Sequence, residues 1–363
     1  MVVMEIICRA TGGMKNHYIL LIKGLLEQGN KVIAVSSLDL VAQEELSNSG
    51  AIVYNINSGN KKYLCYLASI IKLVRLIGKH KPKIIHCHGF KAGAIGRLAA
   101  AYTRSRTVYT IHSFTQYNKS KPTCNLISLF EKLMARWTSS YIAVSEALKQ
   151  SMQELIGEGR NIKVIYNALP AIEPKTSINI RDNWSIRDDD TLLGCVARLI
   201  PSKGIDILLD AFDQIGHARL KLLIVGEGPD RTRIEKILKD KGLTDKVFLA
   251  GHVDSIAEYY KAFDIFVSPS LSEGMGIAVL EAMQQGLAIV AARTGGIPEL
   301  IVHDQNGLLV EPASSSELAL SIKDLIENRD KAIRLGNNAR LIALRDFSVE
   351  KMIYQTLEVF EQI

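Results

Sequence analysis

Short apolar runs alternate with helical patterns along the entire chain. Residues 2–8 form an almost wholly apolar run, and residues 14–28 carry Tyr18, Leu21 and Leu25 at helical spacing before Gly29. Strands that are apolar throughout and separated by amphipathic helices are typical of a parallel sheet with helices on both faces. The pattern therefore predicts an α/β protein built from doubly wound parallel sheets.

The same pattern predicts further strands in both halves of the chain. They cover residues 32–36, 84–86, 107–111, 141–144 and 164–166, and then 192–196, 221–225, 247–250, 265–268 and 288–291. A chain of 363 residues suits two domains. The turn-forming segment 167–190, with Pro170 and Pro174, is predicted to link them. Ligands of such sheets bind beyond the carboxyl ends of the strands, so the chemistry is expected there.

Composition changes this picture mainly through the distribution of charge. Hydrophobic and charged contents of 47% and 23% exclude a disordered chain. Residues 1–170 contain 22 Lys and Arg against 9 Asp and Glu, whereas the rest of the chain contains 22 against 29. Five cysteines without a C-x-x-C pair argue against disulfides or a zinc knuckle. Without a basic signal segment or an apolar run of ~20 residues, a cytoplasmic protein is expected.

Two carboxylates and two glycines follow the predicted strand 265–268. Glu273 precedes Gly274 and Gly276, and Glu281 lies further along, about two turns into the predicted helix. Glycines allow a ligand to approach the backbone closely, and the free N–H groups of a helix start suit phosphate or sugar oxygens. A carboxylate accepts two hydrogen bonds from the vicinal hydroxyls of a sugar or ribose.

Two cations follow the predicted strand 192–196. Arg198 and Lys203 lie five residues apart just beyond the strand, before Gly204, and suit a pyrophosphate leaving group that gains negative charge. A second glycine turn, Thr294-Gly295-Gly296-Ile297-Pro298-Glu299, follows the strand 288–291.

The ordered set of motifs resembles the retaining glycosyltransferases of family 4, also called group 1, over nearly the whole chain. The motifs are Gly12-Gly13 with His17, Thr110-Ile111-His112, Ser145-Glu146, Asn167, Arg198 to Gly204, Gly226-Glu227-Gly228-Pro229, Gly251, Pro269-Ser270, Glu273 to Glu281, and Gly295 to Glu299. The resemblance implies the GT-B fold, in which two Rossmann-like domains face each other across a cleft. The expected domains are an acceptor-side domain, 1–168, on which the C-terminal helix 348–363 packs back, and a donor-binding domain, 171–347.

The resemblance also implies roles for single residues. The expected catalytic residues are His112, Arg198, Lys203 and Glu273, with His112 beside the sugar and the two cations on the diphosphate. The expected donor-binding residues are Gly12, Gly13, Gly226, Gly251, Gly274, Met275, Gly276, Ile277 and Glu281, with Glu281 on the ribose. The base is expected between the loops 226–229 and 251–253. Lys15, where many relatives carry Glu, and His17 are expected on the acceptor side.

Three other patterns suggest a metal or a dinucleotide. Asp188-Asp189-Asp190 matches a metal-binding D-x-D, but its place in a polar run before a strand favours a solvated turn. His86-Cys87-His88 puts two imidazoles on one face of a strand, with no further ligand evident in the sequence. Gly226-Glu227-Gly228 lacks the third glycine of a dinucleotide fingerprint. No metal and no cofactor are therefore expected.

The predicted activity is transfer of a sugar from a UDP- or GDP-sugar to a hydroxyl of a glycan or lipid-linked acceptor, in surface polysaccharide or glycolipid synthesis. The alternatives are a nucleotide-sugar 2-epimerase of the same fold and a non-catalytic sugar-nucleotide-binding protein. Between Glu45 and Glu131 the chain has 13 Lys and Arg but no Asp or Glu. We therefore expect peripheral contact with an anionic membrane at its inner face through the first domain, and no nucleic-acid partner. Within this interval Leu64, Leu67, Ile71 and Val74 recur at helical spacing, which predicts an amphipathic helix docked on its sheet.

Overall fold

The computed structural model describes residues 1–10, 12–56, 63–114, 120–170, 179–253 and 255–363. The chain divides into two units. The first unit comprises Met1–Ala168 together with Val349–Ile363, and the second comprises Leu169–Ser348. Of the expected linker 167–190, residues 171–178 lie outside the described residues, and residues 179–190 belong to the second unit.

The first unit alternates strands and helices. Its strands are β1 (Val2–Ile7), β2 (Lys31–Ser36), β3 (Ile52–Asn55), β4 (Ile84–His88), β5 (Thr107–Ile111), β6 (Ser140–Ala143) and β7 (Ile162–Val164). Its helices are α1 (Gly13–Glu27), α2 (Leu40–Asn48), α3 (Tyr63–His80), α4 (Gly89–Thr103), α5 (Lys121–Met134), α6 (Glu146–Ile156) and, from the end of the chain, α15 (Val349–Glu361).

The seven strands of the first unit form one parallel sheet in the order β3-β2-β1-β4-β5-β6-β7. The chain order reverses at β1, so the carboxyl ends of β1 and β4 form the point where a doubly wound sheet binds ligands. β3 was not predicted because it is a half-exposed edge strand of four residues. So short an edge strand carries little hydrophobic pattern.

The second unit has the same plan. Its strands are β8 (Thr191–Val196), β9 (Leu220–Val225), β10 (Val247–Gly251), β11 (Ile265–Ser268), β12 (Ala288–Ala292) and β13 (Leu308–Val310). Its helices are α7 (Ile180–Asn183), α8 (Ile205–Ile215), α9 (Arg231–Asp240), α10 (Ala257–Ala262), α11 (Ile277–Gln284), α12 (Ile297–Leu300), α13 (Ser315–Glu327) and α14 (Arg329–Asp346).

The six strands of the second unit are parallel in the order β10-β9-β8-β11-β12-β13. The order reverses at β8, next to β11. The missed strand is again at an edge, β13, and has only three residues. The prediction of an α/β protein with two doubly wound parallel sheets is confirmed.

Helix α3 differs from its predicted packing. The sequence suggested that Leu67, Ile71 and Val74 dock the helix on its sheet, yet Leu67 is 56% exposed and Ile71 46% exposed. Leu73, Leu76 and Ile77 are buried instead. The fourth predicted residue, Leu64, has a side chain outside the described set. Leu67 and Ile71 therefore lie on the exposed side of α3.

The C-terminal helix α15 completes the core of the first unit. Met352, Ile353 and Phe360 belong to the same buried cluster as residues of β1 and α1. A Cβ on Gly24 of α1 would lie 1.9 Å from Ile353 Cδ1, so α1 and α15 require a glycine at their closest approach. Among the described residues, no helix is both long and apolar enough to cross a membrane.

Candidate active site

The loops after β8 and β11 bring a cation and a carboxylate of the second unit together. Lys203 lies in a 3₁₀ turn just after β8, and its Nζ is 2.5 Å from Glu273 Oε1. The buried Ser270 donates its hydroxyl to the same oxygen at 2.8 Å. Both charged side chains are about four-fifths buried, at 21% and 16% exposure. The pair is therefore held at the point where the chain order of the sheet reverses.

Arg198 lies two residues beyond β8 and is exposed. Within the described residues, its guanidinium has no hydrogen-bond or ion-pair partner. The backbone around it is fixed, because Leu199 N donates to Glu227 O at 3.0 Å and Asp230 N donates to Leu199 O at 3.0 Å. A fixed backbone that carries an unpaired guanidinium suits recognition of a phosphate group.

Glu281 is a second carboxylate of the second unit and lies in α11. It is just over one turn from the helix start at Ile277, not two turns as predicted. Tyr260 of α10 donates its hydroxyl to Glu281 Oε2 at 2.7 Å. Burial raises the pKa of Glu281 to about 7, although the hydrogen bond from Tyr260 opposes that shift. The carboxyl therefore titrates near neutral pH.

The two loops expected to enclose a base are adjacent in the second unit. Gly226 N donates to Gly251 O at 2.8 Å. Gly226 has φ 138°, and a Cβ there would lie 2.0 Å from Ala197 O. Only glycine allows the β9 loop to cross the β8 loop at this distance. The structure thus places Gly226 and Gly251 side by side.

The start of α11 is formed by the glycine-rich segment. Gly276 caps the helix with φ 93°, and a Cβ there would lie 2.3 Å from Ile297 Cδ1 of α12. Met275 is buried, at 2% exposure, so it contributes to packing at this position. Gly274 precedes it and Ile277 begins the helix, which leaves the first N–H groups of α11 at the carboxyl edge of the sheet.

In the first unit, the glycine pair begins α1. Gly12 is the N-cap residue with φ 61°, and Gly13 is the first helical residue. Lys15 Nζ is 2.6 Å from Asp39 Oδ2. Asp39 also caps α2 by accepting from Ala42 N at 2.9 Å. Lys15, expected on the acceptor side, therefore has an acidic partner from the start of α2.

Four imidazoles of the first unit lie around a buried carboxylate. His86 and His88 of β4 bond to Glu5 of β1, at 3.1 Å and 2.7 Å. His112, just after β5, lies with its Nε2 3.2 Å from His88 Nδ1. The ring of His17 is 4.9 Å from that of His112. The sequence indicated no further possible metal ligand beside His86 and His88. The structure corrects this, because it brings Glu5, His112 and His17 close to them.

The Asp188-Asp189-Asp190 segment forms a turn before β8. Asp189 pairs with Arg219 at 2.7 Å on the surface. Asp190 is only 6% exposed, and its Oδ2 accepts from Arg187 N at 3.0 Å. Asp190 therefore closes the turn, and only Asp188 and Asp189 are exposed to solvent as expected.

The comparisons with known proteins follow this division of the chain. Residues 176–342 match a family model described as glycosyl transferases group 1, and residues 11–171 match one described as glycosyltransferase family 4. The chain belongs to the group 1 glycosyltransferases. An uncharacterized glycosyltransferase of Methanocaldococcus jannaschii is 28% identical to this group 1 glycosyltransferase, over 99% of this chain and 97% of its own.

Two further relatives carry more specific descriptions. A GDP-mannose-dependent α-(1-6)-phosphatidylinositol monomannoside mannosyltransferase of Mycobacterium tuberculosis is 31% identical over 46% of each chain. The crystal structure of HepE from Anabaena, in complex with UDP and glucose, superposes with a TM-score of 0.87 at 24% identity, over 100% of this chain and 99% of that one. The two parallel-sheet units of this group 1 glycosyltransferase have the GT-B fold.

Two residues that contact predicted site residues of this group 1 glycosyltransferase were not predicted from the sequence. Tyr260 holds Glu281, but nothing in α10 distinguishes it from a core tyrosine. Glu5 does leave a signal, because it is the only charged residue in the apolar run 2–8. A lone carboxylate in a strand buried on both faces needs a partner, and that partner lies on β4.

Proposed function

We propose that this group 1 glycosyltransferase transfers a sugar from a nucleoside diphosphate sugar to an acceptor hydroxyl, with retention of the anomeric configuration. The observation that carries the proposal is the arrangement after β8 and β11. One unpaired cation, Arg198, and one cation paired with a carboxylate, Lys203, lie on the loop that follows the central strand β8. The nucleotides in the descriptions of HepE and the mannosyltransferase support a donor of this class.

The Lys203–Glu273 pair gives the donor two functional groups in one step. When a diphosphate oxygen binds Lys203 Nζ, the lysine loses its contact with Glu273. The released carboxylate then accepts hydrogen bonds from sugar hydroxyls, while Ser270 keeps its orientation. Arg198 supplies the second positive charge to the diphosphate, and Glu281 accepts from the ribose hydroxyls.

The chemistry we propose is substitution on one face of the sugar through an oxocarbenium-like state. The bond from the anomeric carbon to the diphosphate oxygen breaks, and the acceptor oxygen bonds to that carbon on the same face. The acceptor proton passes to the departing phosphate oxygen, so no protein base is required. Arg198 and Lys203 stabilise the charge that develops on the diphosphate, and His112 contacts the sugar.

The comparisons do not favour the 2-epimerase alternative, since the relatives described above are named as transferases. A non-catalytic binding protein would bind nucleotide without turnover. Both alternatives share the donor site with the transferase, so an assay of sugar transfer distinguishes them.

The test begins with nucleotide binding. Because a ligand that binds only the folded state raises the melting temperature, UDP or GDP should raise it and unrelated nucleotides should not. The matching UDP- or GDP-sugars are then screened against hydroxyl acceptors, and the anomeric configuration of the product is read by ¹H NMR. Lys203→Ala and Arg198→Ala should each lower turnover by about 100-fold, by analogy with the loss of one oxyanion donor.

Lys323→Ala is the matched control, because Lys323 is an exposed cation of α13 in the same unit. Normal turnover in both Arg198→Ala and Lys203→Ala would contradict the diphosphate assignment. An inverted product would contradict retention alone.

We further propose that the acceptor is a glycan or a lipid-linked glycan and that the first unit contacts an anionic membrane surface. Helix α5 supports this proposal. Leu126, Leu129 and Leu133 lie on one face of α5 at exposures of 67%, 67% and 48%. The exposed cations beside them are Lys121, Lys132 and Arg136. An apolar face bordered by cations suits the interface of an anionic bilayer.

A further inference from the structure

Glu5 is a buried carboxylate at the centre of the first sheet. It lies on β1, is 0% exposed, and has histidines of the neighbouring strand β4 as its partners. His86 approaches it through Nδ1 at 3.1 Å, and His88 approaches it through Nε2 at 2.7 Å. Burial alone would favour the neutral acid, but the electrostatic interaction with His86 and the hydrogen bonds from both histidines outweigh it and lower the pKa of Glu5. Glu5 is therefore ionised at neutral pH and only accepts hydrogen bonds.

An acceptor that cannot donate fixes the protons on both imidazoles. His88 must carry its proton on Nε2, and burial lowers its pKa to about 4, so at neutral pH it has no second proton. Its Nδ1 is then a lone-pair acceptor. The atom 3.2 Å from that acceptor is His112 Nε2, which must therefore be the N–H donor.

The same argument applies to the atom at the other side of the His112 ring. Burial also lowers the pKa of His112 well below its usual value, so this imidazole is neutral at pH 7. With its single proton on Nε2, its Nδ1 carries a lone pair. Within the described residues, Nδ1 of His112 has no hydrogen-bond partner.

We propose that Glu5 and His88 are positioning residues that hold His112 in the Nε2–H tautomer and leave its Nδ1 as the acceptor for a hydroxyl of the transferred sugar. The contact between Nδ1 and the sugar rests on the proposed function, whereas the assignment of the His112 tautomer does not. The path runs from Glu5 on β1 through His88 on β4 to His112 after β5. The three groups therefore lie on adjacent strands of the sheet.

The molecule contains its own control branch. His86 also donates to Glu5, but its Nε2 lies 2.7 Å from Thr110 Oγ1 and not near His112. The two branches share one carboxylate and the same burial. A change that acts only through general loss of packing should affect both branches alike.

A metal ion is the competing explanation for the same histidines. One ring nitrogen each of His17, His88 and His112 lies within 4.8 Å of the others. An ion there would take the lone pairs of His88 and His112 and leave no proton between them. The tautomer assignment and metal ligation therefore predict different spectra for the same two rings.

The experiment is ¹H–¹⁵N correlation spectroscopy of the protein labelled with ¹⁵N-histidine. The sequence contains eight histidines to assign. In the wild type we expect His112 to show a protonated Nε2 and a lone-pair Nδ1. A protonated Nδ1 would overturn the proposal. So would stoichiometric metal in the purified protein with metal-shifted nitrogens on His88 and His112. This measurement needs no variant to fold.

Two matched variants separate the branches. In His88→Gln, the amide nitrogen replaces Nε2 as donor to Glu5, while Nδ1, the atom that accepts from His112, is removed. In His86→Asn, the amide replaces Nδ1 as donor to Glu5 and gives up only the bond to Thr110. We expect the His112 spectrum to become a tautomer mixture in His88→Gln and to stay unchanged in His86→Asn. An unchanged His112 in both variants would overturn the proposal.

Turnover supplies the functional arm. His88→Gln should lower kcat by at least about tenfold with unchanged nucleotide affinity, whereas His86→Asn should stay within about threefold of the wild type. Equal kcat values in His88→Gln and the wild type would overturn the positioning role. If no nucleotide sugar supports any turnover, the proposed function fails, and the spectra still decide the arrangement of the histidines.

Discussion

Glu281 shows how one buried hydrogen-bonded carboxyl can make this protein sensitive to pH. Its pKa of about 7 in the folded state compares with 4.5 for an unperturbed glutamate, and burial is the cause. A carboxyl whose pKa is higher in the folded state stabilises the fold fully at pH below the lower value. That contribution is lost as the pH rises through the higher value.

Glu281→Gln should remove this pH dependence. Because glutamine stays neutral, the free energy of unfolding of the variant relative to the wild type should rise by roughly 1–3 kcal/mol between pH 5 and pH 8. Nucleotide affinity should fall in the variant, and in the wild type it should fall as the pH drops below 7. Thermal melts and titration calorimetry across this range measure both effects.

Glu327→Gln is the control, because Glu327 is an exposed residue at 62% side-chain exposure. A stability difference between Glu281→Gln and the wild type that is constant with pH would contradict the assigned titration.

Single residues also show what the sequence can predict. Arg198, Lys203 and Glu273 could be predicted because each lies in the loop that follows an apolar strand, and the ends of parallel strands meet at one edge. The contact between Lys203 and Glu273 could not be predicted, because it depends on a distance between two loops. Tyr260 and Glu5 act across elements far apart in sequence, and periodicity carries no information on such pairs.

At the scale of elements, α4 and α5 are joined by a buried ion pair. Arg97 donates to both carboxylate oxygens of Glu131 at 2.8 Å, and both side chains are 0% exposed. The guanidinium also lies over the ring of Tyr109, 4.3 Å from its centroid. Arg97 therefore does not belong to the basic surface that the acid-free interval suggested.

Removal of one partner of this pair should be more costly than removal of both. Glu131→Ala should lower the free energy of unfolding by about 3–5 kcal/mol, because it leaves a buried cation without its partner. The double variant Arg97→Met with Glu131→Leu should lose clearly less. Urea unfolding of the wild type, the single variant and the double variant measures this, and a loss in the double variant as large as that in Glu131→Ala would contradict it.

Helix α5 carries the membrane prediction. Substitution of serine for Leu126, Leu129 and Leu133 should reduce binding to anionic vesicles by at least about tenfold, because each leucine loses apolar surface that the interface would bury. Charge reversal at Lys79, Lys81 and Lys83 should weaken binding at low salt, at about 1 kcal/mol per charge near the surface. Vesicle co-sedimentation at low and high salt measures both effects.

The control substitutes serine for three exposed leucines of the second unit, Leu320, Leu341 and Leu344. Equal binding to neutral and anionic vesicles would contradict the role of charge. An effect of the control as large as that of the α5 variant would contradict the role of this helix.

Helix α3 shows what the hydrophobic pattern of a sequence cannot predict. Residues 63–80 are helical as the apolar spacing predicts, but the buried face is not the predicted one. The spacing of a helix shows that a face exists. Which of two adjacent apolar stripes is buried depends on the neighbouring elements, and these are known only from the fold.

At the scale of the whole molecule, we expect activity without a divalent metal. Turnover should be unchanged in chelator, and Asp188→Ala should match the wild type in both activity and stability because its side chain is exposed. Asp190→Ala should lower the melting temperature without lowering turnover, since its carboxylate closes a turn. Loss of turnover in chelator and its return with Mn²⁺ or Mg²⁺ would contradict this prediction.

The position of α15 bears on how the chain is made. The first unit takes its last core residues, among them Met352 and Phe360, from a segment that is translated only after the whole of the second unit. During synthesis the second unit can therefore fold first. Until α15 is made, the part of the first unit around Gly24 remains exposed. Chains stalled on the ribosome before residue 349 should have a protease-resistant second unit and a protease-sensitive first one, and equal resistance would contradict this order.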